Sequence, residues 1–391
     1  MNELENKALL PAGLRDILPP EAGYEAGIRE MLAATFASHG YDRVKPPLVE
    51  FEEGLTSGTG AAVSAETFRL MDPVSQRMMG VRADMTTQVA RIAATRLGDV
   101  PRPLRMSYSG EVLRVRGTQL RPERQFAQVG AELIGTESAA ADIEIITIAV
   151  DSLRKIGVPR LSVDLTIPPL VSALMDGMDL SAEDYQALRD ALDRKDVGAV
   201  RKRGREHANE LCQLMGGTGV ARQALDMLSG LSLPAVPAEE LERLKAVVDG
   251  LERRMPDLDI TIDPVENRGF EYHTGVGFTF FASGERGELG AGGRYVTLSN
   301  CGDENGVGEP ATGFTLFIDT ILRVVPEAKL PPRVFVPQGI EDAALAALRK
   351  EGWVTISALE YFEDPSAEAR RQGCSHVWKV DQPELIDGEK E

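Results

Sequence analysis

The chain has 391 residues, and a hydrophobic content of 43% predicts a soluble globular protein with a full core and one or two smaller units. A formal net charge of −18, from 43 basic and 61 acidic residues, argues against nucleic-acid binding, which needs basic surfaces. Neither a leader pattern nor a stretch of roughly 20 apolar residues is found, so no membrane span and a cytoplasmic location are expected.

Cysteine and histidine are too scattered to indicate a disulfide framework or a metal site. The cysteines are Cys212, Cys301 and Cys374. The histidines are His39, His207, His273 and His376, without an HxxxH or HExxH pair. We therefore expect no metal and no cofactor.

The first third of the chain alternates between helical and strand patterns. Glu21–Ser38 has helical apolar spacing. Residues 67–81 indicate a hairpin, since Asp72-Pro73 is a turn signal. The turn at Arg82 leads into a helix with Asp84 or Thr86 as its N-cap.

The middle of the chain begins with a predicted strand–loop–strand hairpin, Ser107–Gly135, and a helix, Ala139–Lys155. Residues 170–256 show almost only helical spacing, which predicts an inserted helical unit. Strand patterning returns between Asp259 and Ser299, and a helix is expected to begin near Phe314. Pro331-Pro332 is a plausible linker, and a small β-α-β unit follows it.

Four polar clusters could carry chemistry, although each has an ordinary structural explanation. They are Arg82–Thr86, Gln125–Glu132, Asn267–Gly275 and Gly290–Tyr295. The first suits a helix cap, the second a half-exposed strand, the third an edge and the fourth a bulge. A concentration of arginines between Arg96 and Arg124 is either a solvated surface or a site for an anion or a partner.

In their joint order and spacing, these clusters resemble the catalytic core of class II aminoacyl-tRNA synthetases, histidyl-tRNA synthetase in particular. The similarity runs from about Leu10 to Arg323 and includes the segments LPAGLRDILP, RADMT, QVGAE, RGFEY and AGGRY. It implies an α+β fold with an antiparallel sheet flanked by helices. The implied core spans 1–330, with a helical insertion at about 168–256, and a small α/β domain occupies 331–391.

The resemblance also implies a histidine pocket. Asp84, Thr86 and Gln128 would meet the α-ammonium of the amino acid, and a carboxylate is a suitable partner for that group. Glu132, Tyr272, His273 and Tyr295 would surround the imidazole. Arg268 would lie near the carboxylate of the ligand or a phosphate.

Two departures from the synthetase pattern affect the expected chemistry. The Arg-x-Glu of the hairpin reads Ser109-Gly110-Glu111, and Thr320 stands where the third motif ends in arginine. Arginine grips phosphate better than other side chains, and loss of one group that stabilises transition-state charge costs about 10²–10³ in rate. The sequence thus predicts that the amino-acid pocket is retained and the ATP chemistry is lost.

With VRADMTTQVAR and YSGEVLR, the chain is most similar to the regulatory subunits of ATP phosphoribosyltransferase, a non-catalytic subgroup of this family. This resemblance implies feedback control by histidine of the first step of histidine biosynthesis. It also implies self-association through the synthetase-like dimer interface and assembly with a short-form catalytic subunit.

Two alternatives remain open at this stage. A histidyl-tRNA synthetase-like ligase that forms an aminoacyl-AMP would need a replacement cation, for which Arg114, Arg116 and Arg268 are candidates. A pure scaffold would bind no small molecule. The helical insertion and the arginine-rich hairpin are candidate partner surfaces.

Overall fold

The computed structural model of the chain describes residues 9–56, 64–119, 121–266, 272–297, 308–327 and 330–386. The chain divides into two compact units, Met1–Pro326 and Glu327–Glu391. Among the described residues, no helix is long and apolar enough to cross a membrane.

The first unit is built on a large mixed sheet. Its strands are β1 (Asp42–Arg43), β5 (Leu104–Leu113), β6 (Gln125–Ile134), β7 (Leu161–Thr166), β8 (Gly219–Val220), β9 (Asp259–Ile262), β10 (Gly277–Ala282), β11 (Gly290–Val296) and β12 (Pro310–Phe317). Their order is β1-β5-β6-β12-β11-β10-β7-β9-β8. Neighbours are antiparallel except for β1 with β5 and β7 with β9. The predicted α+β class is confirmed, and parallel pairs lie towards both edges.

A smaller sheet and a set of helices complete this unit. The sheet has the order β2-β4-β3, from β2 (Val49–Phe51), β3 (Phe68–Met71) and β4 (Met78–Val81). The helices are α1 (Glu21–Ser38), α2 (Glu52–Thr56), α3 (Thr86–Thr95), α4 (Ala139–Lys155), α5 (Pro168–Asp176), α6 (Ala182–Asp193), α7 (Val197–Arg203), α8 (Ala208–Gly216), α9 (Ala221–Ser229), α10 (Ala235–Arg254) and α11 (Ile318–Ile321). The predicted helices at 21–38 and 139–155 and the helical character of 170–256 are confirmed, the latter interrupted only by β8 and short connections.

Strand β6 shows how the sequence positions the candidate site. Ala127, Val129, Ala131 and Leu133 point to one face and join a core cluster that also contains apolar residues of α1 and α4. Since successive side chains of a strand alternate, Gln128 and Glu132 lie on the opposite face, with glycine at position 130 between them. Hydrophobic packing on the first face therefore fixes which polar groups face the site.

Two local predictions need correction. Phe314 does not begin a helix: it lies in β12, pairs with Ala131, and packs its ring on Phe36 at a centroid distance of 5.4 Å. An apolar run that is buried on both faces has no period that separates strand from helix. The N-cap of α3 is Met85, without a side-chain bond, although the Asp84 carboxylate accepts a hydrogen bond from the backbone N–H of Thr86 at 2.8 Å.

The second unit has a four-stranded sheet with the order β14-β13-β15-β16, made by β13 (Arg333–Val336), β14 (Val354–Ser357), β15 (His376–Lys379) and β16 (Gln382–Leu385). Strand β13 is parallel to β14 and β15, and β16 is antiparallel to β15. Helices α12 (Asp342–Lys350) and α13 (Pro365–Arg371) accompany the sheet. The predicted small α/β unit is confirmed, with β16 and α13 in addition.

Candidate functional site

A cavity with about 220 Å³ of atom-free space lies on the polar face of the large sheet. Its wall is formed by Thr86, Glu132, Tyr272, His273, Ala291, Gly292, Gly293, Tyr295, Gly313, Phe314 and Thr315. Five of the predicted site residues, from four separate stretches of the chain, thus meet at one cavity. This volume includes space that is open to solvent.

Glu132 is the central acid of the cavity, with a residue exposure of only 1%. Its Oε1 accepts a hydrogen bond from the Tyr108 hydroxyl at 3.2 Å, and its Oε2 accepts one from the Tyr295 hydroxyl at 2.9 Å. Burial raises the pKa of Glu132 to about 8, and the nearby Asp84 adds to this effect, whereas the hydrogen bonds from Tyr295, Thr86 and Tyr108 oppose it.

Glycine at two wall positions makes room for these polar side chains. Gly313 pairs with Glu132, and a Cβ atom at 313 would collide with the Glu132 carboxylate. Gly130 pairs with Tyr108, and a Cβ at 130 would collide with the end of the Tyr108 ring. The glycines are required by close approach and not by an unusual backbone conformation.

A second carboxylate is fixed by a short polar network at the start of α3. Gln128 is fully buried, and its Nε2 donates to Asp84 Oδ2 at 2.9 Å while its Oε1 accepts from the backbone N–H of Met85 at 3.1 Å. The Asp84 side chain is partly exposed. Asp84 and Gln128 therefore lie together near the cavity, although neither forms part of its immediate wall.

Aromatic side chains form another part of the wall. Tyr272 and His273 stack with ring centroids 4.2 Å apart, and Tyr272 meets Tyr295 edge-on at 6.4 Å. The His273 ring also lies against Gly293, where a Cβ atom would collide with it. The structure thus places all the predicted aromatic residues together. Arg268, the remaining predicted residue, lies outside the described residues.

Sequence reasoning missed several members of the site, among them the hydroxyl-bearing residues Tyr108 and Thr315. The Tyr108 hydroxyl lies 2.7 Å from Thr315 Oγ1 and 3.3 Å from Thr86 Oγ1, and it also contacts Glu132. Tyr108 is 1% exposed, and burial raises its pKa well above the ordinary tyrosine value. Alternation along β5 could have identified it, because Tyr108 lies opposite Gly130 on the same face as Gln128 and Glu132.

At the two positions where arginine is replaced, the chain supplies guanidinium groups from elsewhere. Arg29 of α1 donates to the Ser109 hydroxyl at 3.1 Å and forms an ion pair with Glu111 at 2.7 Å. Arg121, from the hairpin loop, lies 3.3 Å from Thr320 Oγ1 and pairs with Asp319 at 3.0 Å. The sequence-based list of replacement cations did not include Arg29 or Arg121.

The guanidinium group of Arg121 also packs on two aromatic rings. Its Cζ lies 3.9 Å from the ring centre of Phe317 and 4.9 Å from that of Phe126. Arg114, which was a candidate cation, pairs with Glu66 at 3.3 Å and donates to the Ala83 carbonyl at 3.3 Å. Intramolecular partners thus engage the guanidinium groups of Arg114 and Arg121.

A buried ion pair holds the strand that carries Tyr295. Arg294, next to Tyr295, lies 2.9 Å from Asp142 of α4, with side-chain exposures of 3% and 0%. Its guanidinium also donates to the carbonyls of Thr136 and Ser138 at 2.8 and 3.0 Å. Several hydrogen bonds of this kind are what a buried guanidinium requires, so Arg294 ties β11 to the start of α4.

In the described ranges, no group of three His, Cys, Asp or Glu residues is placed to hold a metal ion. The two described cysteines are Cys212, which is partly exposed, and Cys374, which is buried. Cys301 lies outside the described residues. The functional groups of the cavity wall are the carboxylate of Glu132, the hydroxyls of threonine and tyrosine, and aromatic rings.

Comparison with solved structures agrees with this architecture. A chain from Bacillus halodurans described as an ATP phosphoribosyltransferase regulatory subunit/histidyl-tRNA synthetase superposes with a TM-score of 0.79 at 25% identity, covering 93% of this chain and 96% of that one. Histidyl-tRNA synthetase from Nostoc sp. superposes with a TM-score of 0.76 at 20% identity, covering 95% and 90%. The second likeness is one of fold alone.

Sequence comparison is more specific. The histidyl-tRNA synthetase family model matches residues 13–321. ATP phosphoribosyltransferase regulatory subunits are 53% identical in Paramagnetospirillum magneticum, over 96% of this chain and 97% of the relative, and 54% identical in Rhodospirillum centenum, over 95% and 94%. With a histidyl-tRNA synthetase-like fold and relatives of this identity along nearly its whole length, the chain belongs to the family of ATP phosphoribosyltransferase regulatory subunits.

Proposed function

We propose that this chain is the non-catalytic regulatory subunit of an ATP phosphoribosyltransferase and that its cavity binds histidine as the feedback effector. The observation that carries the proposal is the convergence of Glu132, Tyr295 and Thr86 on a cavity of about 220 Å³, with Asp84 and Gln128 beside it. The carboxylate of Asp84 suits the α-ammonium of an amino acid, and that of Glu132 suits an imidazole N–H. Histidine presents both groups.

The residues at the two former arginine positions, Ser109 and Thr320, favour a non-catalytic role. Ser109 and Thr320 cannot grip a phosphate as arginine does. The neighbouring Arg29 and Arg121 are held by Glu111 and Asp319, so phosphate binding would require them to give up these carboxylates. We therefore expect neither amino-acid activation nor phosphoribosyl transfer by this chain alone.

A regulatory role requires a separate catalytic chain, and the relatives named above are described as regulatory subunits. We infer a hetero-oligomer with a short-form catalytic subunit in the cytoplasm, and self-association through the segment Pro47–Glu50. Histidine binding would shift the equilibrium between active and inhibited complexes, and such coupling is typically about 1–3 kcal/mol.

Co-purification with a short-form catalytic subunit, followed by assay of phosphoribosyl-ATP formation, tests the proposal. Activity should require both chains and should fall when histidine is added. Glu132→Gln should weaken this inhibition, whereas Glu30→Gln, at a largely exposed carboxylate of α1, should leave it unchanged. No association between the chains would contradict the regulatory role, and inhibition that is unchanged by Glu132→Gln would favour a scaffold.

The alternative ligase needs its own assay, because guanidinium groups do lie near positions 109 and 320. The purified chain is incubated with histidine, ATP and labelled pyrophosphate. We expect no exchange of label into ATP. Exchange that depends on histidine would contradict the non-catalytic assignment.

A further inference from the structure

Glu132 is a buried carboxylate whose hydrogen-bond donors are neutral. Its two oxygens accept from the hydroxyls of Tyr108 and Tyr295. Among the residues that the structure describes, no ion pair joins Glu132 to a lysine or an arginine, and the strongest influences on its ionisation are burial, the hydroxyls of Tyr295, Thr86 and Tyr108, and the charge of Asp84. A buried anion without a cation is costly in free energy. A proton on the carboxyl group, or a positively charged ligand group beside it, would therefore stabilise Glu132.

The groups around Glu132 reinforce this requirement. Within the described ranges, the titratable side chains that face it are Asp84 before α3, Tyr108 on β5, Tyr295 on β11, and Tyr272 and His273 before β10. Thr86 and Thr315 add neutral hydroxyls. Asp84 is itself an acid and disfavours a second negative charge nearby.

We propose that Glu132 and a weakly basic ring nitrogen of the bound amino acid hold one proton between them, so that the cavity selects a ligand whose side chain titrates near neutrality. The inference rests on the proposed function, which places the imidazole beside Glu132. When Glu132 enters the complex protonated, its proton passes from the carboxyl oxygen to the ring nitrogen. When it enters ionised, the ligand brings the proton as imidazolium. Both routes give one carboxylate and one imidazolium.

This proton balance predicts how affinity varies with pH. Burial raises the pKa of Glu132 to about 8, and a free imidazole titrates near about 6.5. Between these values the separate partners hold one proton in total, as the complex does. Below about pH 6.5 they hold two and binding must release one, whereas above about pH 8 they hold none and binding must take one up. Affinity should therefore fall about tenfold per pH unit on either side of the window.

Isothermal titration of the purified full-length chain with L-histidine measures the affinity and the number of protons exchanged on binding. Each titration is repeated in two buffers with different enthalpies of ionisation, because the difference in heat counts the protons exchanged. We expect release of close to one proton at about pH 5.5 and little exchange at about pH 7.2. At about pH 9 the α-amino group of the ligand also takes up a proton, so the uptake by the unaltered chain should exceed that of Glu132→Gln by close to one proton.

Glu132→Gln isolates the contribution of this carboxylate. In this variant the affinity for histidine should no longer decline through position 132 between about pH 8 and pH 9, because glutamine does not titrate. Any effect of the ligand's own amino group on affinity remains in both proteins. Glu30→Gln should behave like the unaltered chain. A decline that persists unchanged in Glu132→Gln would overturn the inference.

Thiazolylalanine is an analogue of histidine whose ring nitrogen is too weak a base to be protonated in this pH range. It tests the contribution of the ligand's ring nitrogen without any change to the protein. With the unaltered chain, its affinity should not decline below about pH 6.5, because the proton stays on Glu132. A decline that persists with this ligand would come from a protein group such as His273 and would contradict proton sharing. This arm decides the inference even if Glu132→Gln does not fold.

The results also separate the two levels of the proposal. Histidine binding with pH-independent affinity and no proton exchange would overturn the shared proton and leave the effector site intact. No histidine binding at any pH would overturn the effector site and the inference together.

Discussion

Gly313 lies directly opposite Glu132 in the β12–β6 pair, and its lack of a side chain leaves the space that the Glu132 carboxylate occupies. A methyl group at position 313 would also lie within 3 Å of the backbone carbonyl oxygen of Ala131, so a movement of the Glu132 side chain alone would not make room for it.

Gly313→Ala should therefore abolish histidine binding and lower the free energy of unfolding by about 1–3 kcal/mol, the usual cost of overpacking a core. Calorimetric titration and urea unfolding measure the two effects. Gly27→Ala is the matched control: position 27 lies in α1 with nothing within 4 Å of the added methyl, so it should leave binding unchanged and stabilise the helix slightly. Normal histidine affinity in Gly313→Ala would contradict the assigned role of Glu132.

Tyr295→Phe removes the hydroxyl that donates to Glu132 Oε2 at 2.9 Å. Since this hydrogen bond stabilises the ionised carboxylate, the variant should raise the pKa of Glu132 further and move the alkaline decline in histidine affinity to higher pH. We expect weaker binding at neutral pH, by about tenfold, as for the loss of one buried hydrogen bond. Tyr361→Phe, at an exposed tyrosine of the second unit, is the control. An unshifted pH profile in Tyr295→Phe would show that this bond does not set the ionisation.

The sequence was sufficient to predict the fold class and most of the residues that meet at the cavity. Alternation along β6 already places Gln128 and Glu132 on one face. It does not predict Arg29 beside Ser109, because that contact joins α1 to β5 across 80 positions of sequence and depends on how the helix packs. The strand character of Phe314 was missed for a similar reason, since its burial on both faces comes from tertiary neighbours such as Phe36 and Ala131.

The ionisation of Glu132 should also make folding depend on pH in the absence of ligand. Burial raises its pKa from about 4.5 to about 8, so between these values the folded chain binds more protons than the unfolded chain, and stability falls as pH rises. Glu132→Gln removes this titration. The free energy of unfolding of the unaltered chain, relative to Glu132→Gln, should therefore decrease by a few kcal/mol between about pH 5 and pH 8. Urea unfolding at several pH values tests this, and a constant difference would contradict the raised pKa.

The buried pair of Arg294 and Asp142 should be among the most sensitive positions of the core. Removing one partner leaves an uncompensated buried charge, so Asp142→Asn or Arg294→Met should lower the free energy of unfolding by about 3–5 kcal/mol. Arg203→Met is the matched control, because Arg203 and Asp184 are about half exposed and such pairs contribute less than about 1 kcal/mol. Because Arg294 adjoins Tyr295 on β11, any folded variant should also bind histidine more weakly. Equal destabilisation by Arg294→Met and Arg203→Met would show that the buried pair does not hold β11 to α4.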